Sequence, residues 1–229
     1  MRSLGQRVRD EEQMDDPSLD PAVYDEVLRG LGRVNRWTFA DRPTLGFLAR
    51  ATRGRKRFSL LDVGSGEGGM LRVIAKWARK RGLAARLTGV DLNPKSEKVA
   101  RETTPADMPI DYRTGDYRDL GRFDFVISSL VAHHMTDGQL LEFLGWMESN
   151  SDRGWFVNDL HRHRFAYSGY PLLATLLRVH RIVREDGQLS IARSFRPSDW
   201  KAILAEARVA DGAAVRRYFP FRLCVERLR

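Results

Sequence analysis

Between Arg57 and Leu160, short apolar runs alternate with stretches of helical periodicity, and few fold classes tolerate that rhythm. The runs RFSLLDV (57–63), ARLTGVDL (85–92), IDYRTGDY (110–117), RFDFVISSL (122–130) and GWFVNDL (154–160) read as strands. Helical patterns fill the gaps at Gly68 to Arg81, Pro94 to Glu102 and Asp137 to Met147. This alternation predicts a parallel sheet with helices on both faces. The ending differs. After a helix over 197–208, AAVRRYF and RLCVERL are separated by Pro220 and Phe221 alone. A two-residue connection permits only a hairpin, so the sheet should close on an antiparallel pair.

Ahead of the first strand, Val23, Val27, Leu28, Leu31 and Val34, then Leu45, Phe47 and Leu48, recur at helical spacing. Asp20 before Pro21 suits an N-cap and first turn. The charged stretch DEEQMDDPSLDP reads as a mobile arm. Residues 1–53 are therefore expected to form an arm and helical cap, and 54–229 the main domain. Residues 162–191 break the alternation and are expected to be an insertion after the fifth strand.

Composition narrows the class less. The 229 residues carry 39 Lys and Arg against 30 Asp and Glu, a net charge of +9. Only six of the basic residues are Lys, and the arginines are scattered, with RGRKR (53–57) the densest group. General basicity accounts for this better than a dedicated nucleic-acid surface. No apolar run approaches the ~20 residues of a membrane span, and the first residues lack the apolar core of a secretory leader. A lone cysteine, Cys224, leaves no intramolecular disulfide or cysteine-based zinc cluster. A cytoplasmic protein without a metal site is expected, and its oligomeric state is open.

The chemistry concentrates in SLLDVGSGEGGMLRVIAKWARK (59–80). Gly64, Ser65, Gly66, Glu67, Gly68 and Gly69 match G-x-G-x-x-G, the pattern of a dinucleotide-binding loop. Two acids argue against a pyrophosphate there: Asp62 precedes the loop and Glu67 lies within it. A cationic sulfonium and ammonium would welcome both, although Asp62 could instead cap the helix. Asp91 ends the second strand, where a carboxylate accepts hydrogen bonds from an adenosine ribose. Asp116, with Tyr117, follows the third strand, where it could accept from an adenine amine. Taken alone, Asp116 is as readily a turn residue after Gly115.

On these residues the chain resembles the class I S-adenosylmethionine-dependent methyltransferases, from about Phe58 to Leu160 and more loosely through the hairpin. LLDVGSGEGG is similar to that family's first motif, GVDLN to its second-strand acid, GDY to its adenine motif and FDFVISSLVAHH to its fourth strand. The resemblance implies a Rossmann-like α/β fold with a mostly parallel seven-stranded sheet, and S-adenosylmethionine as cofactor. It places Gly64 and Gly66 at the methionine part and Asp91 at the ribose, with Asp62, Ser65 and Leu92 also expected to bind the cofactor. Asp116 and Tyr117 go to the adenine, with Ser129 and Leu130 beside the sulfonium.

Methyl transfer to oxygen is served by a base near the acceptor, and all five histidines lie between His133 and His180. His133 and His134 follow the fourth strand, and His161 and His163 the fifth. His134 reads as a packing residue, His133 as either packing or catalytic. The base is expected at His161, then His133 or His163, with Asn158 and Asp159 orienting it. DNA methylation is disfavoured, since SSLVAHH lacks the Pro-Pro-aromatic of adenine enzymes and the nucleophilic Cys of cytosine enzymes. The insertion FAYSGYPLLATLLRVHRIV would serve equally as an ordinary core helix pair or as a lid. As a lid it makes an apolar pocket rimmed by Arg178, Arg181 and Arg184, closed opposite by Asn35, Arg36 and Trp37. The expected activity is O-methylation of a small aromatic, polyketide-like or quinone-like acceptor. An RNA methyltransferase or a non-catalytic adenosine-binding module are the alternatives.

Overall fold

The computed structural model describes residues 4–16 and 18–229. Seven strands, β1 (Arg57–Val63), β2 (Ala84–Asp91), β3 (Ile110–Thr114), β4 (Phe123–Ser129), β5 (Ser151–Leu160), β6 (Ala213–Tyr218) and β7 (Arg222–Leu228), form one sheet in the order β3-β2-β1-β4-β5-β7-β6. The first five run parallel, and β7 enters antiparallel between β5 and β6. This is the sheet that the alternation and the two-residue hairpin predict. The strand order reverses between β1 and β4, so a crevice opens at the carboxyl ends of those strands.

Among the described residues eight α-helices surround it: α1 (Pro21–Trp37), α2 (Arg42–Ala51), α3 (Gly69–Lys80), α4 (Pro94–Thr103), α5 (Asp137–Asn150), α6 (Arg164–Leu176), α7 (Arg181–Arg193) and α8 (Pro197–Glu206). Strand alternation sends side chains to two cores. Val126, Trp155 and Val157 pack with Phe143 and Leu144 of α5 and Trp200 of α8. Leu60, Phe125 and Phe156 pack on the other face with Phe47 of α2 and Leu71 and Ile74 of α3. The Phe47 and Phe156 rings stack with centroids 4.9 Å apart.

Local signals set the element ends. Asp20 caps α1, accepting from the Ala22 and Val23 amides, a contribution of about 1 kcal/mol. β3 stops at Thr114, short of the run to Tyr117 that its composition predicts. Gly115 turns the chain at φ 145°, and Asp116 accepts from the Arg118 amide to start a 3-10 turn, Tyr117–Asp119.

The insertion is a helical hairpin, α6 and α7, and α1 packs on it through Val27, Val34, Ile182 and Val183. Gly30 permits the approach, since a Cβ there would lie 3.0 Å from Val183 Cγ2. Pro171 sits inside α6 and has no N–H for the Tyr167 carbonyl; the Gln188 side chain of α7 donates to that carbonyl instead, at 3.0 Å.

The arm departs from expectation. Among its described residues it is docked along α7 instead of projecting as a mobile segment. The Val8 amide donates to Ala192 O, and the Gln13 and Met14 amides donate to the two carboxylate oxygens of Asp186. Arg7 lies 4.0 Å over the Phe195 ring, and Leu4 and Glu12 are buried. Polar residues read as solvated in sequence find their partners on a helix 170 or more positions away, which no local pattern announces.

Candidate active site

A cleft of 1360 Å³ opens over the carboxyl ends of β1, β2, β4 and β5, roofed by α1, α6, α7 and the arm. One half is built by the glycine loop. Gly64 (φ 71°) must be glycine on two counts, because a Cβ there would also sit 2.3 Å from Val131 Cγ2. At Gly66 (φ 52°) a Cβ would meet nothing within 4 Å, so that backbone faces the open cleft. The Gly66 amide donates to Asp91 Oδ2 and the Asn93 amide to Asp91 Oδ1, both at 2.9 Å. Asp91 thereby braces the loop against the end of β2 with its carboxylate still on the cleft wall.

Asp62 is buried and its Oδ1 has no partner. Burial, with the Asp91 charge second, pushes its carboxyl up to about 8. Ser129 Oγ on the facing strand end is likewise buried without a partner. An orphaned acid and an orphaned hydroxyl on one wall fit a ligand that brings N–H donors and positive charge, as the methionine part of S-adenosylmethionine does. A pyrophosphate would place anions against Asp62. Glu67 adds less than the sequence argument assigns to it, because Arg72 pairs with its carboxylate.

Leu92 is 76% exposed and overhangs the cleft beside Asp91. Tyr117 lines the same end, its ring held edge-on by Phe143 and Trp146 at 5.0 and 4.9 Å. Asp116 itself is turned away. It accepts from the Arg118 amide at 2.8 Å and pairs with the Arg118 guanidinium at 2.5 Å, while Gly115 and Tyr117 form the wall. Ser65 lines the loop side. Leu130 holds φ 62° while its amide donates to Asn158 O at 2.9 Å.

The other half carries titratable groups, and their arrangement differs from the sequence expectation. His133 is buried in the cleft wall after β4. Its Nδ1 lies 2.7 Å from Asp159 Oδ1, and its amide donates to Asp159 Oδ2 at 2.9 Å. Burial alone would raise the Asp159 carboxyl. The His133 ring and hydrogen bonds from His133 and the Leu160 amide outweigh that and hold it below the usual range. An ionised Asp159 only accepts, so the His133 tautomer that it selects carries a proton on Nδ1.

His161 and His163, by contrast, do not line the cleft. The His161 ring lies against His163 with centroids 5.3 Å apart, and its amide donates to Phe221 O. Burial, with nearby His163, Arg217 and Arg196, pushes His161 down to about 4. His163 caps α6, its Nδ1 accepting from the Phe165 amide at 3.3 Å. Asn158 is also committed elsewhere, donating to Ala40 O and Thr44 Oγ1. His161, where the base is expected, thus lies off the cleft, whereas His133 lines it and is held by Asp159 across the β4–β5 ends.

The arm contributes a residue that sequence reasoning missed. Glu12 Oε1 lies 3.7 Å from His133 Nε2 and accepts from Ser190 Oγ at 2.8 Å. Its Oε2 lies 3.8 Å from His134 Nε2, and His134 Nδ1 lies 3.2 Å from Asp15. Burial would lower His134, but the Asp15 hydrogen bond and the Glu12 charge prevail and raise it. Glu12, His133 and His134 bring three potential metal ligands within 4.8 Å of one another. The Arg193 guanidinium, 3.9 Å from Glu12 Oε1, already supplies positive charge there. No sequence pattern links Glu12 to histidines some 120 residues away.

The insertion does roof the cleft, through apolar and small residues such as Phe165, Ala166, Gly169 and Leu173. Arg178, Arg181 and Arg184 lie off the wall, and Arg181 pairs with Glu185, so no basic rim forms from them. Asn35 and Arg36 line the opposite side, whereas Trp37 is exposed outside it. No helix of the described residues is long and apolar enough to cross a membrane.

Residues 61–142 match a family model described as a methyltransferase domain. No curated protein sequence matches the chain. Among solved structures it is similar to the plantazolicin methyltransferase BpumL in complex with S-adenosylhomocysteine (TM-score 0.68, 15% identity, covering 94% of this chain and 92% of that one). It is also similar to magnesium protoporphyrin IX methyltransferase from Synechocystis PCC 6803 with bound S-adenosylmethionine (TM-score 0.55, 16% identity, 95% and 88% covered). Residues 61–142 thus carry a methyltransferase-domain match, and the whole chain has the fold of these methyltransferase structures.

Proposed function

We propose that the protein methylates a hydroxyl oxygen of a small aromatic or lipophilic acceptor, with His133 as the base. The supporting observation is the His133–Asp159 pair in the wall of a cleft whose other half fits S-adenosylmethionine. When bound, that cofactor supplies a methyl group activated by its sulfonium. The chain's own residues have three tasks. Asp62, Ser129 and the Gly64–Gly66 loop hold the cationic end, and Asp91 takes the ribose hydroxyls. Tyr117 and Leu92 cover the adenine, with Asp116 fastening the turn that carries Tyr117. His133 Nε2 removes the acceptor proton as oxygen attacks, and the Asp159 carboxylate stabilises the imidazolium that forms.

The aromatic acceptor class is supported by the apolar roof of α6 and by the exposed rings of Phe165 and Phe221 at the cleft mouth. The two neighbours named above act on chemically different acceptors, so the fold alone leaves the acceptor open. Incubation with labelled S-adenosylmethionine and panels of phenols, quinols and total RNA, read by mass spectrometry, tests the proposal. Label on a phenolic oxygen that disappears in His133→Ala is the expected result. Transfer to RNA alone, or undiminished transfer by His133→Ala, would overturn it.

A further inference from the structure

Three arginines are buried among the described residues, and two of them face carboxylates: Arg162 lies 2.6 Å from Asp199 and Arg193 3.9 Å from Glu12. Arg222 is the most buried, at 2% exposed, and among the described residues it forms no ion pair. Its Nη2 donates to two neutral oxygens, Asn35 Oδ1 and Thr38 Oγ1, both at 3.3 Å, and its Nη1 has no partner. Asp159 acts on it through space, but that carboxylate is bonded to His133 and the Leu160 amide. Burial accordingly holds Arg222 below the ordinary guanidinium range. A guanidinium removed from water without a counter-charge is strongly unfavourable, and neutral acceptors at the edge of hydrogen-bond range compensate little.

Nor does the local fold call for a cation at this position. Arg222 opens β7, in register with Tyr218 and Leu160, where an uncharged residue would pair as well. What distinguishes the position is the cleft. Arg222, its partners Asn35 and Thr38, and its neighbours Leu160 and Phe221 all line the wall. Asp159 and Leu160 are successive residues at the end of β5; the first holds His133 and the second is in register with Arg222. Arg222 and His133 thus line one cleft and are both tied to the end of β5.

We propose that Arg222 receives a carboxylate of the acceptor, which makes the acceptor a hydroxylated aromatic acid. This rests on the reading of the cleft as the pocket of a small aromatic acceptor, and it narrows that class by charge. A charge-assisted hydrogen bond to the Arg222 guanidinium gives the buried cation a counter-charge and orients the ring so that its hydroxyl, not its acid, faces His133.

Calorimetric binding of a hydroxynaphthoate and its methyl ester, each with saturating S-adenosylhomocysteine, separates the possibilities without requiring turnover. The full-length protein is expected to bind the acid at least about ten-fold more tightly than the ester, and Arg222→Met to bring the two within about two-fold. Arg222→Met should keep its S-adenosylhomocysteine affinity and melt no lower than the parent, because it removes an unpaired buried charge. Arg222→Lys should retain part of the preference. Equal binding of acid and ester by the parent overturns the proposal whatever the variants do, as does a preference that survives Arg222→Met. A lower melting temperature in Arg222→Met also overturns it, by showing a structural role. Acid preference without any methyl transfer to hydroxyl acceptors would sink the function proposed above and leave this site standing; transfer to phenols without acid preference would do the reverse.

Discussion

Asp159 and His133 meet at 2.7 Å between Oδ1 and Nδ1, with a second bond from the His133 amide to Oδ2, and both residues are buried. One carboxylate thus sets the backbone, the ring orientation and the tautomer of a histidine delivered by a different strand. Asp159→Asn removes the charge and permits the wrong tautomer. The expected outcome is a loss of turnover of about 10²–10⁴-fold with S-adenosylhomocysteine affinity within about two-fold of the parent, measured by steady-state kinetics and calorimetry.

Glu12 should act on the same ring from the opposite side. Its carboxylate lies 3.7 Å from His133 Nε2, where the imidazolium proton would appear. Glu12→Gln keeps the size and the Ser190 bond but loses the charge, so turnover is expected to fall about ten-fold. Cofactor binding should not change. A variant as active as the parent would restrict the arm to packing.

His161 provides the matching negative control. Its ring lies off the cleft beside His163, and burial and neighbouring cations push it down to about 4. His161→Gln is expected to leave turnover within about two-fold of the parent at neutral pH, well above that value. A loss comparable to that of His133→Ala would restore it as the base.

Asp62 makes cofactor binding sensitive to pH. Its carboxyl, pushed up to about 8 by burial and by Asp91, is mostly protonated at neutral pH in the empty cleft. A cationic ligand favours the ionised form, so binding should release a proton, and affinity should rise with pH up to about 8 and level off above it. Calorimetry in buffers of different ionisation enthalpy reads the released proton directly. Asp62→Asn should abolish the release and weaken binding.

The glycine loop divides stability from ligand binding. Gly64→Ala strains a φ of 71° and drives a Cβ into Val131, for an expected loss of about 1–3 kcal/mol in chemical denaturation. Gly66→Ala meets open cleft. It should cost less stability, about 1 kcal/mol for the left-handed backbone, and lose proportionately more cofactor affinity.

The sheet and the glycine-loop wall of the cleft were legible because their signals are local. Strand alternation, the two-residue hairpin, the Gly64–Gly66 turn and the acids at strand ends all sit within a few residues of what they determine. The acceptor half was not. Asp159 lies two residues from His161 in sequence, yet the pleat of β5 and the position of β4 beside it hand Asp159 to His133. Glu12 and Arg222 come from the two ends of the described chain, and only the folded sheet and the docked arm bring them to one cleft. Asp116 illustrates a different limit: a short acid after a glycine can face a ligand or its own turn, and here Arg118 takes it.

The end of β5 has a consequence for how such an enzyme diversifies. Asp159 anchors the proton-handling histidine, while its immediate neighbour Leu160 is in register with the strand that begins at Arg222. On the roles proposed above, recognition and chemistry descend from adjacent positions but hang on separate segments, one after β4 and the other on the closing hairpin. Substitutions around 220–222 can drift toward new acceptors while the catalytic pair is held constant, so a lineage can change its substrate without first losing its reaction.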